Sequence, residues 1–369
     1  MVKIKREIIM LDVVIIGSGP AGATCARILG QNPKLKVALI DARSFEHHPK
    51  NIKSCGGLLS SHAQDELKKQ KLIIPESIKV DPQLTCVDTI DLHHGLRRFY
   101  RRTYINMDRL QFERWLISII PDRVSRYEQA RVLRIEPIPG GSRLTIKQDQ
   151  KEWVLEAKVV VGADGADSLV RRHFFSDRPF PHRYVSIQRR YATQAAHTAY
   201  YGFFDERLTD YYGWALQKEK ELLVGAALRI DGEVHDKFDR MLQAIKSQTD
   251  LDLSTMNSTE GAILLRPMRL NQLVYACKSA ALIGEASGSM SPTSAEGFSF
   301  ALRSGRLLGE ALNRYGATSH ALKAYDRSCW GIRISILFKL LKYPGMYHPL
   351  LRHWVMKSGI TSIRHENEV

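Results

Sequence analysis

The first strongly apolar run of the chain, residues 10–16 in MLDVVIIG, is continuous rather than alternating, the pattern of a strand buried on both faces. A second such run, 36–40, follows one helix length later and ends in Asp41. Further on, the pattern predicts a helix through Ala63 and Leu67, strands within 84–105, and a helix over 109–116 with Asp108 as its cap. A hairpin falls within 131–157, with one strand near 143–148 and its partner near 153–157, and a separate short buried strand at 158–161 comes next. From about 180 to 265 the pattern alternates and is rich in tyrosine, with strands at 184–191, 199–204, 212–216 and 222–228. It reads as an antiparallel sheet inserted as a second domain. A last buried strand, 280–284, precedes a long helix over 295–312.

The link between the first strand and its helix is Gly17-x-Gly19-x-x-Gly22. Gly17 permits the tight turn out of the strand, Gly19 lets backbone approach a pyrophosphate, and Gly22 lets the helix pack close to the sheet. The helix N-terminus then faces the phosphates, and Asp41 stands where a carboxylate accepts hydrogen bonds from an adenosine ribose. Strand, glycines, helix, strand and acid in this order predict a dinucleotide site.

Composition sets bounds. The 369 residues, 44% hydrophobic and 25% charged, suffice for two domains around one large ligand. Five cysteines, odd in number and without a CxxC pair, argue against a disulfide framework or structural zinc and fit a reducing compartment. The basic-then-apolar start resembles a signal peptide, but its apolar part is the first strand of the dinucleotide fold. No apolar run reaches the ~20 residues that span a bilayer. A formal charge of +15 comes without any nucleic-acid-binding signature. No nucleic-acid partner is expected; the charge fits anionic membranes or acidic substrates, or simply a basic solvated surface. The pairs His47-His48 and His93-His94 lack metal-ligand spacing and read as loop or strand surface, so no metal is expected.

Two further stretches join the first: Gly162-Ala163-Asp164-Gly165-Ala166-Asp167-Ser168, and Gly284-Glu285-Ala286-Ser287-Gly288 followed by Ser291-Pro292-Thr293-Ser294-Ala295-Glu296-Gly297. Together the three resemble the glutathione-reductase-type FAD fold of flavin monooxygenases and geranylgeranyl reductases. Lys53-Ser54-Cys55-Gly56-Gly57-Leu58-Leu59 and Gly284-Glu285-Ala286 look closest to CbrA-like flavoproteins, and the likeness extends to Tyr211-Tyr212-Gly213-Trp214 and to 351–359. It implies an α/β fold: a Rossmann-type FAD-binding domain (8–80, 104–178 and 262–326), an antiparallel-sheet substrate domain (81–103 and 179–261) and a basic helical C-terminal segment (327–369).

By that resemblance Gly17, Ser18, Gly19, Ala21 and Gly22 cradle the pyrophosphate of FAD, Asp41 with Ala42 holds the adenosine, and Arg109 contacts the cofactor. Asp164 and Gly165 belong to the second fingerprint, where Asp164 fixes backbone or cofactor geometry or only caps a turn. Gly284 and Glu285 form the third, with glutamate where the family usually has aspartate on the ribityl chain. Pro292, Gly297 and Phe298 lie beside the isoalloxazine, where a helix start stabilises negative charge on reduced flavin, although Pro292 also serves merely to shape a loop.

Cys55 is the candidate reactive side chain, against the alternative of a small buried thiol. Tyr212 and Trp214 either wall an apolar substrate cavity or belong to the core. The reading is an FAD-dependent oxidoreductase that passes hydride to a double bond of an apolar, isoprenoid or lipid-linked substrate. Its alternatives are an NAD(P)H-dependent monooxygenase of aromatic compounds and a flavin-binding redox sensor without turnover. No second nucleotide fingerprint is present, so electrons come from transiently bound NAD(P)H or a protein donor. Basic and apolar residues interleave from Arg327 to Arg364, which suits a membrane interface or a packed helical lid. The expected location is cytoplasmic, peripheral to the inner face of the membrane.

Overall fold

The computed structural model describes residues 10–44, 55–360 and 362–363. The readings at His47, His48, Lys53, Ser54 and Arg364 lie outside the described residues. The chain opens with β1 (Met10–Ile16), α1 (Pro20–Leu29) and β2 (Val37–Ile40), then β3 (Leu58–Leu59), α2 (Ser61–Lys69), β4 (Leu84–Asp91) and β5 (Leu96–Asn106). Next come α3 (Arg109–Ser118), β6 (Ser125–Tyr127) and a meander of β7 (Ala130–Ile138), β8 (Gly141–Gln148) and β9 (Lys151–Gly162). After α4 (Leu169–Phe174) follow β10 (His182–Ala192), β11 (Ala199–Phe204), β12 (Gly213–Lys218), β13 (Glu221–Arg229), α5 (Val234–Gln248) and β14 (Met256–Arg266). The last elements are β15 (Ala280–Leu282), α6 (Phe298–Tyr315), α7 (Ser319–Ser328), α8 (Trp330–Tyr347) and α9 (Pro349–Ser358).

The first sheet runs β6-β2-β1-β9-β8-β7, with β15 also beside β9. β1 is parallel to β2 and β9, and its continuous apolar run is buried on both faces. Helices α1, α3, α6 and α7 cover one face through Ala23, Leu29, Phe112 and Leu308, while β7, β8 and α4 close the other. The expected break at 157/158 does not exist. β9 is one strand whose first half pairs with β8 and whose second half pairs with β15. The change from half-exposed to fully buried neighbours altered its composition without interrupting its backbone.

The second sheet runs β14-β10-β13-β12-β11-β4-β5-β3. It is mixed rather than purely antiparallel, because β11 pairs parallel with β4 from Ala199↔Cys86 to Phe204↔Asp91. The β4–β5 hairpin arrives from a distant part of the chain and joins the edge that β11 offers. The expected boundaries at 104 and 262 fall inside β5 and β14. α5, absent from the sequence reading, packs Phe238, Met241, Leu242 and Ile245 beneath this sheet at helical spacing. α6 starts at Phe298, later than expected, since Ala295 has a φ of 50° and Gly297 is the cap.

Candidate cofactor and substrate site

The carboxyl ends of the parallel strands meet at one rim. Gly17 N donates to Ile40 O, Ala163 N to Ile16 O, and Ile283 N to Gly162 O, each within 2.9 Å. This alignment brings the three glycine-containing turns together, at the place where open α/β sheets bind ligands. Gly17 has a φ of 101°, and a Cβ there would collide with Ala163. A Cβ on Gly22 would run into the Gly17 carbonyl, so α1 packs against its own turn. Around Gly19, by contrast, a Cβ would meet nothing within 4 Å among the described residues, and the helix start lies open to the cleft.

Asp41 is buried at the end of β2. Its Oδ2 accepts from Ser18 N at 2.8 Å and Ser18 Oγ at 2.5 Å, and its Oδ1 from Arg43 N at 2.8 Å. Arg43 also binds Glu113 at 3.0 Å, and Glu113 binds Arg109 at 2.8 Å. Burial alone would raise both carboxyls, but Arg43 and Ser18 outweigh it at Asp41, and Arg109 and Arg43 at Glu113, holding both below the usual carboxylate range. Arg109 in turn lies against the Cys55 thiol and has its guanidinium 5.7 Å from the Phe298 ring centre. The charged chain Asp41–Arg43–Glu113–Arg109 thus runs from one end of the cleft to Cys55. Neither Arg43 nor Glu113 was singled out from sequence, although the Arg109-x-x-x-Glu113 spacing on one helix was a legible signal.

In the second fingerprint, Asp164 Oδ2 accepts from Leu169 N at 2.7 Å and caps α4, while its buried Oδ1 has no partner among the described residues. Burial pushes the carboxyl upward. In the third, Glu285 lines the cleft with Oε1 bonded by Leu265 N at 2.9 Å, which ties the carboxylate to β14.

The loop before α6 departs from expectation. Pro292 is buried away from the cleft, and its carbonyl accepts from Arg266 Nε at 2.9 Å. The neighbouring carbonyls of Ser291, Thr293 and Ser294 accept from the hydroxyls of Tyr211, Tyr347 and Tyr212 at 3.0, 2.7 and 2.8 Å. Four consecutive carbonyls are therefore captured by buried side chains, and residues 293–298 face the cleft. The positive end of α6 is already answered from within the chain. The Glu296 carboxylate accepts from Ser299 N and Oγ at 2.7 and 2.6 Å and offsets the helix dipole there.

All of this opens into one cleft of about 1990 Å³. Gly17, Gly19, Ala21, Asp41, Ala42, Arg109, Asp164, Gly165, Gly284, Glu285, Gly297 and Phe298 line one part, with Cys55 at the junction. Ser18 and Gly22 lie beneath it, spent on Asp41 and on helix packing. The other part is walled by Tyr104, Tyr200, Phe204, Tyr212 and Trp214 from the second sheet. Trp214 Nε1 is buried without a partner among the described residues. Near Cys55, Lys218 Nζ donates to Met107 O at 2.7 Å, Asn106 Oδ1 at 2.8 Å and Gly57 O at 3.4 Å. Burial pulls this ammonium down to about 7, against the attraction of Cys55 and Asp108.

Protein CbrA of Escherichia coli O9:H4 (strain HS) is 33% identical to this chain over 353 residues, which are 95% of the chain and 94% of that protein. The chain belongs to the CbrA family. Residues 12–341 also match the family described as lycopene cyclase protein, so the chain belongs to that family too. Among solved structures it is similar to a geranylgeranyl bacteriochlorophyll reductase-like protein from Thermoplasma acidophilum, with a TM-score of 0.75 at 15% identity over 94% of this chain and 99% of that one. It is also similar to Klebsiella pneumoniae HpxO complexed with FAD and uric acid, with a TM-score of 0.67 at 16% identity over 94% and 92%. The chain thus shares the family of CbrA and the fold of these neighbours, one of which is complexed with FAD.

The residues fit the cofactor. The open Gly19 cradle, the orphaned Asp164 Oδ1 under the second turn and the length of the cleft are what an extended dinucleotide needs. The cradle would hold the pyrophosphate, with Asp41 lining the cleft beside it.

Beside the cleft, which Arg352 helps to line, the β4–β5 turn holds more than surface histidines. His93 Nδ1 bonds Glu206, 113 residues away, and His94 Nδ1 lies 3.1 Å from Asp91. Arg352 of α9 joins both carboxylates, at 2.8 Å to Asp91 and 2.5 Å to Glu206. No sequence spacing announces this cluster, since three separate segments supply it.

Proposed function

We propose that this CbrA-family chain reduces a carbon–carbon double bond of an apolar, isoprenoid or lipid-linked substrate. The observation that carries the reading is the continuity of the glycine cradle with an aromatic-walled chamber. Ligand sites commonly occupy roughly 300–1,000 Å³, so a cleft of about 1990 Å³ leaves room for a second molecule beside a dinucleotide.

Bound FAD supplies the hydride. Tyr200, Tyr212, Trp214 and Phe204 bind the apolar chain and exclude water. Cys55, at the junction of the two parts, gives its Sγ proton to the carbon next to the one that receives hydride, and Arg109 and Lys218 flank the sulfur it leaves. NAD(P)H bound transiently, or a protein donor, supplies the electrons, and the enzyme works peripherally at the inner face of the membrane.

The test is anaerobic incubation of the reduced, FAD-loaded protein with a polyprenyl alcohol. Reoxidation of the flavin together with a product carrying two more hydrogens per double bond supports the reading. Substrate-dependent oxygen consumption with a hydroxylated product selects a monooxygenase instead. A flavin that no donor reduces selects a redox sensor.

A further inference from the structure

The two C-terminal helices leave an apolar face uncovered. On α8, Trp330, Leu337, Phe338 and Leu341 follow helical spacing along one side, while Ile332 and Ile336 are buried on the other. On α9, Leu350, Leu351, Trp354 and Val355 are exposed, while Arg352 and Met356 face the protein. The exposure is large for such side chains: 60% for Phe338, 68% for Leu341 and 67% for Trp354. A contiguous apolar patch of this kind marks an interaction surface.

Its charge says what covers it. Between residues 327 and 360 the chain has six Lys and Arg and not one Asp or Glu. The adjacent β5 adds Arg97, Arg98, Arg101 and Arg102, and Arg98 Nε holds the Met356 carbonyl at 2.7 Å, fixing α9 beside that strand. Arg102, Lys339 and Lys342 come together where the cleft opens, with Glu296 the carboxylate in reach of Lys339. A protein partner of mixed charge has no reason to prefer a face whose cations are so one-sided, and an anionic bilayer does. The cleft also reaches this face, because Leu341, Val355 and Ile360 are at once exposed and part of its wall.

We infer that α8 and α9 dock the protein on an anionic lipid bilayer, with Trp354 and Phe338 among the acyl chains, Arg102, Lys339 and Lys342 at the phosphates, and the cleft opening directly into the lipid. The use of that opening rests on the apolar-substrate reading. The dock itself does not.

Flotation of the FAD-loaded protein with phosphatidylglycerol–phosphatidylethanolamine vesicles tests it. Wild type should float at low salt, with binding to phosphatidylcholine vesicles, or at high salt, about tenfold weaker. Phe338→Ser/Trp354→Ser should lower the bound fraction about tenfold with an unchanged flavin spectrum. Arg101→Glu/Lys357→Glu, which alters only exposed residues, should do the same if the first pair fails to fold. Wild type that stays at the bottom with anionic vesicles, or folded variants that float as well as wild type, overturns the proposal. So does a lipid-free dimer that Phe338→Ser/Trp354→Ser converts to monomer, which would make a second copy the occupant. Flotation needs no turnover, so a floating protein without reductase activity sinks the proposed reaction and leaves the dock standing.

Discussion

Tyr347, the last residue of α8, donates its hydroxyl to the Thr293 carbonyl at 2.7 Å. The bond joins a helix with an exposed apolar face to the loop that lines the cleft. Removing the hydroxyl leaves a buried carbonyl without its partner, so Tyr347→Phe should destabilise the protein by ~1–3 kcal/mol. Tyr211, which holds Ser291 O on the same loop, should couple to it. A double-mutant cycle with Tyr211→Phe, read by chemical denaturation, is expected to depart from additivity. Strict additivity would mean that the loop is not held as a unit.

The glycines of the cradle should separate by role. Gly22→Ala drives a methyl into the Gly17 carbonyl and should abolish both FAD retention and the folded core. Gly19→Ala meets open space within the protein. It should change stability by no more than about 1 kcal/mol while sharply weakening FAD binding. Denaturation and flavin titration of the two variants check the contrast, and equal loss of stability would contradict it.

Arg43 stands between two buried carboxylates. Arg43→Met should cost about 3–5 kcal/mol, because Asp41 loses its cation. The pH dependence follows from the direction of the shifts. Asp41 and Glu113 have folded pKa values below their unfolded ones. Their contribution is therefore complete above the unfolded carboxylate range, near pH 4, and is lost as pH falls through the depressed values. Acid titration of wild type should show this loss, and Arg43→Met should begin to unfold at higher pH.

Lys218 gives a slope of the same sign in a higher pH window. Its ammonium, pulled down to about 7 in the folded protein, has an unfolded value near 10.4. Below pH 7 both states are protonated and no slope arises. Between about 7 and 10 the unfolded chain holds the extra proton, so stability should rise with pH. Lys218→Met should flatten that rise, and a slope that survives the substitution would assign it to another group.

Cys55→Ser should cut product formation about tenfold or more while leaving flavin reduction intact, as expected when a proton donor is weakened. Full turnover in this variant would remove Cys55 from the reaction.

The sequence by itself determined the nucleotide end of this protein. A buried strand, three glycines and an acid are local and ordered, and the physics that demands them, a tight turn and a close backbone approach, acts over a few residues. Tyrosine-rich alternation likewise announced the second sheet. Only tertiary structure decided the rest. That β11 lies parallel to β4, that Glu206 meets His93, and that Tyr211, Tyr212, Tyr347 and Arg266 capture four successive carbonyls depends on segments 26 to 113 residues apart. The same holds for Pro292. Its motif placed it beside the cofactor, but hydrogen bonding of the loop turned it inward, because satisfying buried carbonyls outweighed the local pattern. Local rules fix turns and faces, whereas the neighbours that complete a site come from chain closure.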